Sequence, residues 1–285
     1  MANRPAESKD LHPLNLLPGA SREAAQRSLQ LLPRSFCHPY IKMAPFQTLA
    51  AQLTRSTPLS GLSKHLEFKM NAPRFGFVAG QWLSMKAKTP DGEEITRAYS
   101  IASPPNGDNR FALCLNRVQD GYMSNFLCDM KEGDEISCQG PFGDFILRPP
   151  MRDTIFIATG TGIAPIRSML RWLFQSNEDD RTRHRGKQLW LVFGNRTEQD
   201  IYYHDEFLAL AEQHANFHYW LTLSRGSPEW QGLRGYVQDH VSAIAQGRTD
   251  MHAYICGLDK MVKANRELLK SLGWDRKSIL YEKYD

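Results

Sequence analysis

The hydrophobic pattern of the chain changes near residue 150, and this change limits the folds open to it. Between Phe46 and Pro150, short apolar runs such as KHLEFKM, QWLSMKA, ITRAYSIA, RFALCLNRV and DEISCQG are separated by Gly, Pro, Asn and Asp turns. From Met151, strand-like runs such as TIFIAT, QLWLVFG and HAYICG alternate with helical runs such as DKMVKANRELLKSLG. The first pattern predicts an antiparallel barrel or sandwich, and the second predicts a parallel sheet with helices on both faces.

We therefore expect two domains and an extension. A chain of 285 residues has the length of about two domains. The antiparallel β-barrel is expected over residues 46–150 and a Rossmann-like α/β domain over residues 151–285. Residues 1–45 are polar and interrupted by prolines, and only SREAAQRSLQLL, with Ser21 as a possible N-cap, has a helical pattern. The extension is either a partly ordered tail or a docking arm.

Composition and charge exclude several classes of protein. The net charge is +4 and no Lys/Arg block is present, so we expect no nucleic-acid partner, although a basic patch could attract an acidic protein. No apolar run approaches the ~18 residues of a membrane helix, and the N-terminus does not resemble a secretory signal. We expect a reduced, cytoplasmic chain without a zinc or iron–sulfur site, because no C-x-x-C or C-x₄-C-x₂-C spacing occurs. The five cysteines are Cys37, Cys114, Cys128, Cys138 and Cys256.

The stretch IFIATGTGIAPIRSML predicts a buried strand that turns into a helix. Gly160 and Gly162 flank Thr161, and Pro165 follows in the first turn of the helix, where proline is well tolerated. Glycines let backbone N–H groups approach a ligand, and a helix N-terminus favours an anion. The stretch is not a P-loop, since no Gly-Lys-Ser/Thr follows. It is therefore either a pyrophosphate site or a tight strand–helix turn.

Three further stretches carry candidate chemistry. In RAYSIASPP, Arg97 and Tyr99 share one strand face and Ser100 points to the other, which suits either a phosphate and a flat ligand or the polar rim of a small barrel. In GYMSNFLCDMKEGD, Ser124 is a possible N-cap, so the stretch is either a capped helix or a second phosphate site. Cys256, in YICGLDKM, ends a strand on the ligand side of an α/β sheet, although a lone buried cysteine is usually inert. Tyr284 near the terminus is either functional or part of a solvated tail.

Taken in order, these stretches resemble the ferredoxin–NADP reductase superfamily over residues 46–285. Arg97-x-Tyr99-Ser100 resembles its R-x-Y-S flavin motif, and GYMSNFLCDMKEGD is similar to its G-x-x-S-N-F-L-x-x-L-K-x-G segment. GTGIAPIRSM resembles the nicotinamide nucleotide pyrophosphate loop, CGL the C-G-x motif, and EKY the terminal E-x-Y. The chain departs from plant-type members in that Asp285 follows the terminal tyrosine and Asn116 replaces a lysine near the nucleotide. The extension matches nothing in the family.

The resemblance implies that the barrel binds FAD and that the second domain binds NADPH. Arg97 would bind the FAD pyrophosphate, Tyr99 would pack on the isoalloxazine, and Ser100 would lie near flavin N5. Ser124 would cap the flavin phosphates, and Tyr284 would cover the isoalloxazine face opposite Tyr99. The remaining FAD-binding residues would come from the same helical segment, namely Gly121, Tyr122 and Met123.

For the coenzyme, the resemblance implies a 2′-phosphate site at Ser224 and Arg225, with Arg196 beside it and Tyr236 on the adenine. The loop of Gly160, Thr161 and Gly162 would hold the pyrophosphate. The nicotinamide would lie against Cys256 and Gly257. The residues at the reacting atoms would be Ser100, Cys256, Glu282 and Tyr284.

The function implied is an FAD-dependent reductase that transfers electrons between NADPH and a ferredoxin, another iron–sulfur protein or a flavodoxin. NADH remains possible as the coenzyme, and FMN as the flavin. One alternative is the NADH-dependent reductase component of a multicomponent oxygenase. A more distant alternative is a flavin-binding regulatory module without turnover, which lost motif residues would favour, and none is lost.

Overall fold

The computed structural model describes residues 47–174 and 184–284, and it confirms an antiparallel sheet followed by a parallel sheet with helices. The antiparallel sheet contains β1 (Leu49–Pro58), β2 (Ser63–Met70), β3 (Trp82–Lys88), β4 (Glu94–Ser100), β5 (Arg110–Asn116) and β6 (Glu135–Phe142). Its spatial order is β4-β3-β6-β1-β2-β5. The 1–45 extension with its expected helix, and Asp285, lie outside the described residues.

The antiparallel sheet closes on itself through its two edge strands. Directly after β4, Ile101 forms a bridge with Leu113 of β5, and the Ala102 N–H donates to the Ala112 carbonyl at 2.7 Å. Inward-facing residues such as Leu53, Phe68 and Met85 alternate with outward ones, as a two-residue strand repeat requires. The result is the expected barrel.

The only α-helix described within the barrel region is α1 (Tyr122–Asp129), which packs against β3 and β4. Its apolar residues Met123, Leu127 and Cys128 are buried in the barrel core. These three positions are spaced four and one residues apart, which places them on one face of a helix. The helix therefore stands beside the R-x-Y-S strand.

The parallel sheet has the order β10-β9-β8-β7-β11-β12. Its strands are β7 (Thr154–Thr159), β8 (Leu189–Asn195), β9 (Phe217–Leu223), β10 (Leu233–Arg234), β11 (His252–Leu258) and β12 (Ile279–Tyr284). Its helices are α2 (Ile163–Leu173), α3 (His204–Gln213), α4 (Gln238–Ala245) and α5 (Asp259–Ser271). One core contains residues of α2 and α3 and the other contains residues of α4 and α5, so helices cover both faces.

The order of the parallel strands defines where a ligand can bind. From β7 the chain moves outward through β8, β9 and β10, and then returns to the other side of β7 with β11 and β12. Open α/β sheets bind ligands at the carboxyl ends of their strands, at the point where the order reverses. In this chain that point lies between β7 and β11.

A shared core and direct hydrogen bonds join the barrel to the parallel sheet. Ala102, Cys114 and Phe145 from the barrel side belong to the same buried cluster as α2 and α3. The Tyr202 hydroxyl donates to Asn116 Oδ1 at 3.1 Å, and the Arg148 N–H donates to the Tyr254 hydroxyl at 2.7 Å. Asn116 is therefore part of the contact between the two sheets.

Three elements are absent from the sequence-based prediction. These are β1, β10 and α4. In β1 the inward positions are Leu49, Ala51 and Leu53, and a central alanine weakens the alternating pattern. Strand β10 has only two residues, too few for a pattern.

Among the described residues, no helix is long and apolar enough to cross a membrane.

Candidate functional site

The loop after β7 lies at the reversal point and packs backbone to backbone against the end of β11. Residues Gly160–Gly162 form one 3₁₀ turn that leads directly into α2, and Pro165 lies in the first turn of that helix. A Cβ atom on Gly162 would lie 2.3 Å from the Cys256 carbonyl oxygen. Gly257 has φ +149°, and a Cβ there would lie 2.4 Å from Thr159 Oγ1. The predicted pyrophosphate loop and the predicted Cys256–Gly257 segment therefore meet.

The last strand brings Glu282 and Tyr284 to the same place. Strands β11 and β12 are parallel, with Cys256 beside Glu282 and Leu258 beside Tyr284. Cys256 is fully buried. Its burial and the nearby Glu282 carboxylate raise the pKa of the thiol well above its usual range. Cys256 is therefore a neutral thiol and not a nucleophilic thiolate.

A hydrogen bond between Ser100 and Glu282 connects the barrel to this group. The Ser100 Oγ–H donates to Glu282 Oε1 at 2.6 Å, across 182 residues of sequence. Ser100 is 5% exposed. Burial raises the pKa of the Glu282 carboxyl, while the bond from Ser100 partly opposes that rise. Glu282 therefore takes up a proton at a higher pH than an ordinary glutamate.

Tyr284 lies beside the same two groups. Its ring packs against the core that contains α2 and α3. Its hydroxyl oxygen is buried close to Ser100 and Cys256 but has no hydrogen-bond partner with good geometry among the described residues. Burial raises the pKa of this hydroxyl well above its usual range, so it stays protonated. A buried hydroxyl without a partner is costly, and a ligand atom at this position would satisfy it.

Strand β4 shows an open face next to Ser100. Thr96, Arg97 and Ala98 are all exposed, which breaks the alternation seen in β3 and in the first half of β1. Tyr99 is half-buried against the barrel core, and burial raises its pKa to about 12. Arg97 Nη1–H donates only to the Thr96 carbonyl, at 2.8 Å, among the contacts described for its side chain. A cation and an aromatic ring therefore flank an accessible surface.

Helix α1 begins three residues earlier than a Ser124 N-cap would require, so that expectation is wrong. The N-cap is Gly121, and Tyr122 is the first helical residue. The Ser124 hydroxyl instead donates to the Gly121 carbonyl at 2.9 Å and accepts from the Val118 N–H at 3.1 Å. Ser124 is the third residue of the helix, and its hydroxyl stabilises the turn that precedes the helix.

The other predicted residues of α1 have separate positions. Tyr122 Oη–H donates to the Lys88 carbonyl at 2.7 Å, which joins the helix start to the end of β3. Met123 is the second residue of the helix, and its side chain is buried in the barrel core. Only its backbone is therefore placed to contact a ligand at the start of the helix. The amino end of α1 and the open face of β4 therefore border one region.

The predicted 2′-phosphate residues gather at the carboxyl ends of β8 and β9. The Arg225 N–H donates to the Arg196 carbonyl at 2.8 Å, which joins the two loops. Ser224, Arg225 and Arg196 are exposed, and Tyr236 is 64% exposed. Two guanidinium groups, a hydroxyl and an uncovered aromatic ring suit a phosphate and a flat base.

Arg234 shapes the loop after β9, and it is not among the residues predicted from the sequence. The guanidinium of Arg234 donates to the carbonyls of Gly226, Ser227, Pro228 and Trp230, at 2.7–3.2 Å. An arginine has five N–H donors in a fixed plane, so one side chain can hold several turns of backbone. No spacing in the sequence distinguishes this arginine from a solvated one.

A cleft of about 380 Å³ gives access to Glu282 from the barrel side. The residues that line this cleft include Trp82 and Arg148 from the barrel side and Tyr281 and Glu282 from β12. Trp82 is the residue opposite Ser100 in the β3–β4 ladder. The Ser100–Glu282 pair is therefore adjacent to solvent on this side.

Within residues 47–174 and 184–284, no cluster of His, Cys, Asp or Glu has the composition of a metal site.

Two family models match the chain, and each covers most of one of the two sheets. A family model described as an oxidoreductase FAD-binding domain matches residues 50–146, and one described as an oxidoreductase NAD-binding domain matches residues 156–267. The ferredoxin–NADP reductase B of Sorangium cellulosum (strain So ce56) is 41% identical over 254 residues, which span 86% of this chain and 100% of that protein.

Two other proteins extend the comparison. The reductase component DmpP of phenol 2-monooxygenase from Pseudomonas sp. (strain CF600) is 32% identical over 225 residues, covering 77% of this chain and 61% of that protein. The solved structure of the Amycolatopsis cytochrome P450 reductase GcoB has a TM-score of 0.73 at 24% identity, covering 83% of this chain and 69% of that one. The structural match shows a shared fold.

The two matched domains and the site at their junction define an oxidoreductase that binds FAD and a nicotinamide nucleotide. More narrowly, the chain belongs to the ferredoxin–NADP reductase family.

The close contact at Gly162 leads to a stability prediction. Gly162→Ala should lower the free energy of unfolding by about 1–3 kcal/mol, because the new methyl group has no room beside the Cys256 carbonyl. The measurement is urea denaturation. Gly61→Ala is the matched control, since a Cβ at Gly61 meets no atom within 4 Å. Equal unfolding midpoints for both variants would contradict the contact.

Proposed function

We propose that the chain is an FAD-dependent reductase that passes electrons from NADPH to a one-electron carrier of the ferredoxin or flavodoxin type. The Ser100–Glu282 hydrogen bond carries this proposal, because it joins the end of β4 to β12, which pairs with the strand that the proposed pyrophosphate loop contacts. We also propose that residues 46–150 form the FAD domain and residues 151–285 the NADP domain. FAD, when bound, accepts a hydride from the nicotinamide and releases electrons singly.

The proposed FAD site uses the face of β4 and the start of α1. Arg97 would pair with the pyrophosphate, and Tyr99 would stack on the isoalloxazine. The N-terminus of α1, with Gly121 as its cap, offers unpaired N–H groups to the flavin phosphates. The role of Ser124 is then to hold the Gly121 turn, and Tyr122 and Met123 anchor the helix at its two sides.

Removal of Arg97 tests the FAD site. Arg97→Ala should weaken FAD binding about 10- to 100-fold, because a charge-assisted contact contributes about 1.5–3 kcal/mol. Titration of the apoprotein with FAD measures this. Arg110→Ala is the control, since Arg110 is an exposed arginine of the same sheet whose described ion pair is with Asp108. Wild-type protein that binds neither FAD nor FMN would rule out the flavin site altogether.

The proposed preference for NADPH rests on the loops after β8 and β9. Ser224, Arg225 and Arg196 would bind the 2′-phosphate, and the exposed ring of Tyr236 would pack on the adenine. The 3₁₀ turn of Gly160, Thr161 and Gly162, at the start of α2, would bind the pyrophosphate. NADH lacks the 2′-phosphate, so it would not make the contacts proposed for Ser224, Arg225 and Arg196.

The selectivity of Arg225 can be measured directly. Arg225→Ala should raise KM for NADPH about 10- to 100-fold and leave KM for NADH within about twofold, because only NADPH carries the phosphate that Arg225 would contact. Steady-state kinetics with both coenzymes measures the difference. Arg248→Ala is the control, since Arg248 pairs with Asp153 and Asp250 at the amino end of the sheet. Equal increases in the two KM values would exclude a 2′-phosphate role.

Four residues are proposed for the reacting centre. Ser100 and Glu282 would hold or move a proton near flavin N5, since the raised pKa of Glu282 suits proton uptake and the adjoining cleft reaches solvent. Cys256, as a neutral thiol, would pack beside the nicotinamide next to Gly257. Tyr284 would cover the isoalloxazine face where the nicotinamide must arrive. Two aromatic groups cannot share one stacking position, so the ring must move for hydride transfer.

Replacement of the terminal tyrosine tests that last role. Tyr284→Ser should raise activity with NADH relative to NADPH about 2- to 10-fold, because a stacked ring contributes about 0.5–1.5 kcal/mol that a weakly anchored coenzyme must overcome. Turnover with NADPH should fall as product release slows. Tyr281→Ser is the control on the opposite face of β12. Unchanged coenzyme preference together with an unchanged flavin spectrum would remove Tyr284 from the site.

The proposed carrier is acidic. Helix α5 begins directly after Cys256-Gly257-Leu258, and Lys260 and Lys263 are exposed in its first two turns. Leu258 is also exposed there. A basic rim with an apolar centre beside the redox site suits an acidic protein that docks transiently.

Salt dependence tests electrostatic docking. The rate of electron transfer to an acidic [2Fe–2S] ferredoxin should fall at least about tenfold from 0.01 M to 0.3 M salt, because the Debye length shrinks from about 30 Å to below 10 Å. Reduction of a small uncharged quinone is the control and should change little. A rate to ferredoxin that is independent of salt would count against a charged docking surface.

The oxygenase-reductase alternative is less well supported. The match to the phenol 2-monooxygenase reductase component covers 61% of that protein, whereas the match to the Sorangium ferredoxin–NADP reductase covers all of that one. Stoichiometric iron in the purified chain, or a strong preference for NADH, would favour the alternative.

A further inference from the structure

Arg167 lies in the second turn of α2, and its side chain is only 11% exposed at the junction of the two sheets. Its Nη1–H donates to the Ala102 carbonyl on the barrel side at 2.8 Å. Its Nε–H and Nη2–H donate to Glu206 Oε2 of α3, at 3.1 and 2.7 Å. One guanidinium therefore connects the barrel, α2 and α3.

The barrel end of this contact lies two residues after Ser100. Ala102 is held on its other side by its N–H, which donates to the Ala112 carbonyl at 2.7 Å. The neighbouring Ser168 Oγ–H donates to the Ser103 carbonyl at 2.6 Å. Two consecutive residues of α2 thus hold the two residues through which the chain leaves the flavin-motif strand.

The proposed pyrophosphate loop, Gly160–Gly162, leads directly into the amino end of the same helix. Arg167 follows Gly162 by five residues, which corresponds to about 7.5 Å along an α-helix. The helix is short and nearly all of it is buried. Because the helix between them is short and buried, a displacement of Arg167 would also displace the loop.

The third partner adds a connection to α3 and β2. The Arg167 guanidinium carbon lies 4.3 Å above the ring centroid of Tyr203, which has a left-handed φ of 54° at the start of α3. The Tyr203 hydroxyl lies 2.9 Å from His65 Nδ1 in β2. Burial and the nearby Arg167 lower the pKa of His65 to about 3, so the imidazole is neutral and adds no competing charge.

A buried ion pair is a poor source of stability, since desolvation offsets most of the attraction between the charges. What a planar guanidinium adds is direction, because its donors form a fixed fork. At this junction the fork fixes the backbone after Ser100 relative to the helix after Gly162.

We propose that Arg167 is a positioning residue for hydride transfer, which sets the distance and angle between the nicotinamide-binding and flavin-binding halves. The proposal rests on the proposed function. Arg167 lies too deep in the junction to serve the adenosine half of the coenzyme, whose proposed site is at Arg225. Its removal should therefore slow hydride transfer and leave binding of that half intact.

The experiment compares the FAD-loaded wild type with Arg167→Met, Arg167→Lys and Ser168→Ala. Stopped-flow mixing with NADPH gives the hydride-transfer rate, and calorimetry gives the Kd for 2′,5′-ADP. The charge-transfer absorbance between nicotinamide and flavin, with NADP⁺ added to the reduced protein, reports their stacking without turnover. Arg248→Met is the matched control, since it removes a paired arginine at the far end of the sheet.

Arg167→Met should slow hydride transfer by about 100-fold and abolish the charge-transfer absorbance, because a displacement of about 1 Å can have such an effect. The Kd for 2′,5′-ADP should stay within about twofold of the wild type. Arg167→Lys should transfer the hydride about tenfold faster than Arg167→Met. Ser168→Ala should transfer it several-fold more slowly than the wild type. Arg248→Met should leave every value unchanged. If Arg167→Met does not fold, Arg167→Met/Glu206→Gln removes both buried charges and replaces it.

Two results would overturn the proposal. One is an unchanged hydride-transfer rate and charge-transfer absorbance in the folded variant. The other is a parallel loss of 2′,5′-ADP affinity and hydride transfer, which is the signature of a general structural role. If NADPH fails to reduce even the wild-type flavin, the proposed function fails, and the positioning role fails with it.

Discussion

The hydrogen bond between Ser100 and Glu282 is the interaction on which the proposed reacting centre depends. It joins the last residue of β4 to the final strand of the parallel sheet. Around it lie Tyr284, Cys256 and the loop that ends at Gly162. In the proposed reductase, each half would keep a binding surface without this junction, but the flavin and the nicotinamide would not be held together. The proposed function therefore depends on the contact between the two sheets and not on either sheet alone.

Much of the fold follows from periodicity. Alternating apolar residues in runs such as KHLEFKM correspond to strands, and the strand–helix alternation after Met151 corresponds to a parallel sheet. Arg97, Tyr99 and Glu282 also lie in strands, as the runs that contain them predict. Strand β1 is not predicted from the sequence because Ala51 occupies a central inward position. Helix α4 is not predicted because its eight residues begin with polar side chains. Short or weakly patterned elements need the rest of the fold to form.

The site is less predictable than the fold, for a physical reason. Local spacing cannot show that Ser100 meets a residue 182 positions away, or that Arg167 reaches the barrel. It also misassigned Ser124, because a serine near a helix start can bond backward to stabilise a turn as easily as it can cap the helix. Contacts between distant segments depend on how two sheets pack, and that packing leaves no periodic trace in either segment.

The measurement that tests the account most directly is cytochrome c reduction through an added ferredoxin, with NADPH and NADH compared side by side. The account predicts that NADPH supports the reaction with kcat/KM at least about tenfold above that for NADH, since the 2′-phosphate contact proposed for Arg225 would contribute the energy of a charge-assisted contact. It also predicts that omission of ferredoxin removes most of the rate. Equal efficiency with the two coenzymes, or a rate that does not depend on ferredoxin, would contradict it.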